Sequence, residues 1–313
     1  MSLTKGQLAL VLAALAALSF STFNVYQKTT DTFTVAPQNI LSGRSHAPYQ
    51  YRLLAPLIFS GVTLVVKNER KADGITILIS IFFCYAVTFI LFYSASNSLP
   101  LTFVFQLALL GAFAGGMEFK YRQEFFEAGF VALLMFLAYR KRLAWWAIYI
   151  ITIFGSLNRE TFAFALIALT VFLFVSDKKQ FLRRYALRLA PLFVIYLLIY
   201  AGSRYYFGLS SYQSDLFMLL PNLENIVRVY APANVLYVGG GLLMLFLYSL
   251  LEGNRAYLSF ILGYVVPLFL VSLFISNWYE HRIFYGAYPL ILAHLAAGLS
   301  KQSETPPRQV VAR

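Results

Sequence analysis

The sequence predicts an all-α fold: a polytopic transmembrane helical bundle of about 10–12 spans, each long enough to cross a bilayer. Three observations carry that class. Hydrophobic residues make up 60% of the 313 and charged residues only 12%, where soluble domains carry about 25% charged. Long apolar runs alternate with short polar breaks. Basic residues concentrate in a few of those breaks, as in loops on the cytoplasmic side of a membrane. The formal charge of +12 would suggest nucleic acid in a soluble chain; placed in short loops between spans, it makes that partner a poor reading. The lone cysteine, Cys84, lies in an apolar run, and the three histidines are widely spaced. Neither an internal disulfide nor a Cys-based metal site follows, and no cofactor is implied.

In order, the apolar runs fall at 7–26, 51–66, 74–95, 100–117, 126–139, 143–157, 161–175, 186–201, 233–250, 256–275 and 284–299. The first offers small residues for signal-peptide cleavage in "ALAALSFS", but its length fits an uncleaved span better. The last residues, 301–313, are polar with paired prolines and read as a disordered cytoplasmic tail behind a single transmembrane domain, 1–300. "KNERK" (67–71), "RKR" (140–142) and "DKKQFLRRYALR" (177–188) are expected on the cytoplasmic side. The loops near 27–50, 158–160, 202–232 and 276–284 then face the other side. That assignment leaves three apolar runs between 71 and 140 where two are needed. The candidate for a re-entrant or partial span is 100–117, with Pro100 and "GAFAGG". No internal repeat is evident, which counts mildly against an inverted-repeat transporter.

Charges that interrupt this apolar background are the functional candidates. Asp31 is the only acid between Met1 and Glu69, and a single carboxylate at the membrane boundary suits a general base as well as a solvated loop. Arg44, His46 and Arg52 follow it as groups able to bind an anion, although Arg52 opens a span and can also snorkel. Arg159 and Glu160 are the only charges from Leu143 to Val175. "GSLNRE" reads as a turn in which Asn158 caps a helix starting at Arg159, with Glu160 in its first turn. Arg159 is the residue this leaves unexplained: it suits a bidentate clamp on a phosphate, with Glu160 orienting it or engaging an acceptor hydroxyl. Between Gly116 and Gly129, Lys120, Glu124 and Glu127 share a helical face. Most of that segment reads as an interfacial, ion-paired helix, with Glu127 the exception at the start of a span. Glu280, His281 and Arg282 are either a polar loop in an aromatic belt or a site, with His281 able to shuttle a proton. In the polar stretch 201–232, the amphipathic part 214–232 can lie along the interface, and Arg204 and Arg228 are available to phosphate or to snorkelling.

Taken together, Asp31 with Phe33, Ala36, "LSG" (41–43), "PYQYRLLAP" (48–56), "EFFEAGFVALLMFLAYRKR" (124–142), "NRET" (158–161) and "NWYEHRIFYGAYPLIL" (277–292) resemble the polytopic bacterial glycosyltransferases of the GT-C superfamily, in order and spacing over most of the chain. The resemblance implies many transmembrane helices, an active site at the outer leaflet, a polyprenyl-phosphate-linked sugar donor, and an acid in the first outer loop as base, here Asp31. Two departures stand out. Asp31 is not part of an Asp-x-Asp or Glu-x-Asp pair, which argues against a bound metal, and no large soluble outer domain is expected after the spans.

The expected function is therefore sugar transfer at the outer face of a bacterial inner membrane. Asp31 is the expected base, Arg52, Arg159 and Arg282 hold the donor phosphate, and Glu127, Glu160, Glu280 and His281 position sugar and acceptor. A lipid-linked sugar flippase or other transporter, or an O-antigen-type polymerase, is the alternative. Depth separates the classes: an enzyme gathers its charges at one face, and a transporter needs some at the midplane.

Overall fold

The computed structural model of the chain describes residues 4–29, 37–42, 45, 49–115, 122–140, 143–208, 255–275 and 284–304. Among the described residues every regular element is a helix. In order these are α1 (Lys5–Thr29), α2 (Pro37–Leu41), α3 (Leu54–Val65), α4 (Glu69–Ser96), α5 (Leu99–Gly115), α6 (Arg122–Tyr139), α7 (Trp145–Asn158), α8 (Phe162–Ser176), α9 (Leu187–Phe207), α10 (Arg255–Ile275) and α11 (Ala287–Glu304). A 3-10 turn, Tyr49–Tyr51, precedes α3, and a π-helical turn, Leu182–Ala186, leads into α9. The all-α expectation holds, and the helices follow the apolar runs closely. The run at 233–250 and the residues after Glu304 lie outside the described residues; 301–304, the first four residues of the expected tail, are the last of α11. Among the described residues three segments are long and apolar enough to cross a membrane: Lys5–Gln27, Glu69–Ser96 and Leu182–Phe207.

The centre of the array is α4, whose 28 residues extend about 42 Å. Its start is well specified: the Asn68 side chain accepts from the Lys71 backbone N–H at 3.0 Å, and Glu69 sits in the first turn, where the helix dipole favours an anion. It ends at Asn97, which takes the left-handed conformation at φ 52° that asparagine tolerates. Ile81, Cys84, Tyr85, Phe89 and Phe92 are buried against its neighbours. Its buried hydroxyls, Thr76, Ser80 and Thr88, donate back to carbonyls of their own helix, which keeps polar groups satisfied in an apolar core.

Contacts at the helix ends fix the directions. Asp73 near the start of α4 pairs with Arg122 at the start of α6, so these two helices run parallel. Tyr26 near the end of α1 meets Phe125 at that same end. Asn158, the last residue of α7, donates to the Gln123 carbonyl at 2.8 Å. At the opposite end, Tyr257 of α10 donates to the Tyr139 carbonyl, where α6 finishes, and Tyr149 of α7 donates to the Arg188 carbonyl of α9.

One consequence corrects the sequence reading. Three helices, α4, α5 and α6, join 67–71 to 140–142, so these basic segments lie at opposite ends of the array rather than on one side. The run expected at 100–117 is, over Leu99–Gly115, an ordinary helix between the ends. The short element is α3, whose 12 residues extend only about 18 Å. It begins next to Arg52, which faces Glu160, and is followed after three residues by α4, which starts at that same end. Counting basic residues alone put "KNERK" on the same side as 140–142, although Glu69 helps start a helix there and the nearby Asp73 is paired with Arg122.

Candidate functional site

The α7–α8 connection is built for close approach. A Cβ on Gly155 would fall 2.5 Å from the Phe162 ring, so glycine lets the first residue of α8 pack against the last turn of α7. Arg159 is extended, at φ −157° and ψ 146°, and α8 begins only at Phe162. The expected helix start at Arg159, capped by Asn158, is therefore overturned: Asn158 closes α7 and spends its amide on α6. Glu160 lies in the turn, not in a first helical turn. Extended backbone sends successive side chains to opposite sides. Arg159 and Glu160 accordingly serve two different clusters.

Arg159 points inward. Its guanidinium donates to Glu127 Oε2 at 2.6 Å and lies 3.8 Å from Glu124 Oε1. The other Glu127 oxygen accepts from Thr161 Oγ1 at 2.5 Å and from the Tyr264 hydroxyl at 3.0 Å. Glu124, Glu127 and Arg159 are all buried, at 0%, 1% and 6% exposure. For Glu127 and Arg159, desolvation on this scale is tolerable only with short, complementary contacts of this kind. The cluster ties together α6, the α7–α8 turn and α10.

Glu160 points the other way, into a looser and more open group. Its Oε2 lies 3.7 Å from Arg52 Nε, just ahead of α3, and its Oε1 lies 3.8 Å from Arg204 in the last turn of α9. Both separations exceed hydrogen-bonding distance. Aromatic rings hold the two cations. Arg204 sits over Tyr200 at 3.5 Å and over Tyr51 at 4.3 Å, and Arg52 sits over Tyr49 at 4.9 Å. The Tyr51 hydroxyl donates to the carbonyl of Gly208 at 3.0 Å; Gly208 ends α9 at φ +78°, a conformation glycine adopts without strain. The Tyr196 hydroxyl fixes the backbone by donating to the Glu160 carbonyl at 3.0 Å.

Of the residues singled out in the sequence, Arg52, Glu127, Arg159 and Glu160 come together at one end of the helical array. Asp31, Glu280, His281 and Arg282 lie outside the described residues. The helices leading toward them, α1 and α10, finish at that same end, and α11 starts there. Sequence reasoning missed Tyr264 and Thr161, which carry no charge to mark them, and the buried Asp73–Arg122 pair. Arg204 stood out in the sequence only as a cation available to phosphate or to snorkelling. Among the described residues, no three His, Cys, Asp or Glu side chains are placed to hold a metal ion. Two arginines around one carboxylate leave a single formal positive charge, a setting suited to an anion. Comparison with protein families, characterised proteins and solved structures finds no match to this chain.

Proposed function

We propose that the chain is a multi-pass membrane glycosyltransferase of the GT-C kind, set in a bacterial inner membrane. It moves a sugar from a polyprenyl-phosphate donor to an acceptor at the outer face, formed by the end of the bundle that holds Glu160. One observation carries the reading. Among the described residues the buried Asp, Glu, Lys, Arg and His side chains are Arg52, Asp73, Arg122, Glu124, Glu127 and Arg159, which all lie at this end, and His294, the one exception, within α11. A transporter needs ionisable groups along its path, whereas an enzyme working on a lipid headgroup needs them at one face.

In the proposed step the acceptor hydroxyl oxygen attacks the anomeric carbon of the donor. Asp31 takes the hydroxyl proton, the bond from that carbon to the phosphate oxygen breaks, and polyprenyl phosphate leaves with the electron pair. Arg52 and Arg282 stabilise the charge that grows on the leaving phosphate, while Glu280 and His281 orient sugar and acceptor. Arg159, held by Glu127, fixes the turn that presents Glu160.

The test is purified protein supplied with labelled polyprenyl-phosphate sugar and a candidate acceptor lipid. Asp31→Asn should slow transfer by about 10²–10⁴-fold, the usual contribution of a general base, while donor binding survives. Full transfer by that variant removes Asp31 as base. If labelled donor crosses a vesicle membrane without being consumed, the flippase reading replaces this one.

A further inference from the structure

We infer that Glu160 is a resident counter-ion occupying an anion site formed by Arg52 and Arg204, and that a phosphate ester binds by displacing its side chain. The reading above supplies the kind of anion; the geometry supplies the exchange. Each Glu160 oxygen faces a different arginine, at 3.7 and 3.8 Å. Neither pair closes to a hydrogen bond, for which about 2.7–3.2 Å is required. Arg52 is 7% exposed, and its buried Nε has no hydrogen-bond partner among the described residues; nor does the buried Oε1 of Glu160. One carboxylate thus balances two guanidiniums without satisfying either.

A phosphate is the better match. It is larger than a carboxylate and offers more acceptor oxygens, so it can close both gaps at once, and arginine forks suit it bidentately. The surroundings are arranged for such an exchange. Tyr49, Tyr51 and Tyr200 hold the arginines in place through their rings. Tyr196 holds the Glu160 backbone while leaving the side chain unbound. The cations are therefore fixed, and the anion between them is the part free to move. Until the ester binds, Glu160 offsets part of the repulsion between the two arginines.

The experiment measures binding of three probes to the full-length protein in one detergent: polyprenyl monophosphate, phosphatidylglycerol and inorganic phosphate. Removing the resident anion should tighten binding of polyprenyl monophosphate by about tenfold or more in Glu160→Gln. Arg52→Gln and Arg204→Gln should each weaken it by a similar factor, through loss of a charge-assisted contact. Glu160→Ala is the second variant, because a glutamine amide can still lean on Arg52. Melting temperatures without ligand establish that each variant is folded. Unchanged or weaker binding in both Glu160 variants overturns the inference, and so does failure of both to fold, which makes Glu160 a structural partner only. Tightening toward inorganic phosphate alone keeps the exchange but assigns it to a free ion. Equal tightening toward phosphatidylglycerol keeps it for lipid phosphates in general. Tighter binding without any sugar transfer preserves the exchange and rejects the glycosyltransferase reading; transfer without tighter binding does the reverse.

Discussion

Arg159 and Glu160 are neighbours in sequence and belong to opposite kinds of charged site. The Arg159 cluster is closed: contacts of 2.5–3.0 Å converge on a Glu127 that is 1% exposed. The Glu160 cluster is open, with ion-pair separations of 3.7 and 3.8 Å and a Glu160 side chain that is 22% exposed. A closed cluster fixes geometry, because its members have no other place to go at acceptable cost. An open one holds charge ready for something else. Binding chemistry is therefore expected on the Glu160 side, with Arg159 and Glu127 positioning the turn that carries it.

The comparison stands on both clusters sharing one end of the array with 67–71, opposite 140–142 and 177–188. In a Cys84→Ser background, single cysteines at Lys71 and Lys179 should react with an impermeant thiol reagent from opposite sides of a sealed membrane. Labelling of both from one side would break the helix directions on which everything else rests. The next largest effect is expected in the closed cluster. Glu127→Ala leaves Arg159 buried without its 2.6 Å partner, and breaking a buried pair in this way costs about 3–5 kcal/mol. The measurement is unfolding in detergent, with Arg159→Met/Glu127→Leu as the companion variant. Replacing both charges with apolar side chains should recover only part of the loss, because Glu124, 3.8 Å from Arg159, then loses its own cation. A Glu127→Ala protein as stable as wild type would mean that the cluster is not closed.

Much of the fold was legible because apolar run length reports helices directly: the limits of α5, α7 and α8 lie within two residues of the runs that predicted them. Direction was not legible at 67–71. Loop charge is a summed signal, and it cannot show that Asp73 pairs with Arg122 or that α3 is too short to cross. The candidate site was half visible. Charge in an apolar background exposed Arg52, Glu127, Arg159 and Glu160, yet adjacency suggested that Arg159 and Glu160 act together. The extended backbone at Arg159 separates them, and a reading that started the helix at Arg159 could not foresee it. Tyr264 was invisible because a tyrosine in an apolar helix gives no sign of the partner its hydroxyl finds.

The smallest effect is the one that most sharply separates the two clusters. Glu160→Gln should change unfolding stability by no more than about 1 kcal/mol, the range for ion pairs with access to water. Its side chain makes no hydrogen bond with Arg52 or Arg204 that the substitution would remove, because both separations exceed 3.5 Å. The arginines keep their tyrosine rings, and the backbone bond from Tyr196 is unaffected. Whatever difference remains should shrink as salt is raised, since a partly exposed charge is screened over about 8–10 Å near physiological ionic strength. The check is a pair of denaturation curves at low and high salt, set beside those of Glu127→Ala. If Glu160→Gln is as damaging as Glu127→Ala and equally insensitive to salt, the two clusters are one structural network. If it is mild and screened, stability is held by Glu127, and the charge of Glu160 is available for binding.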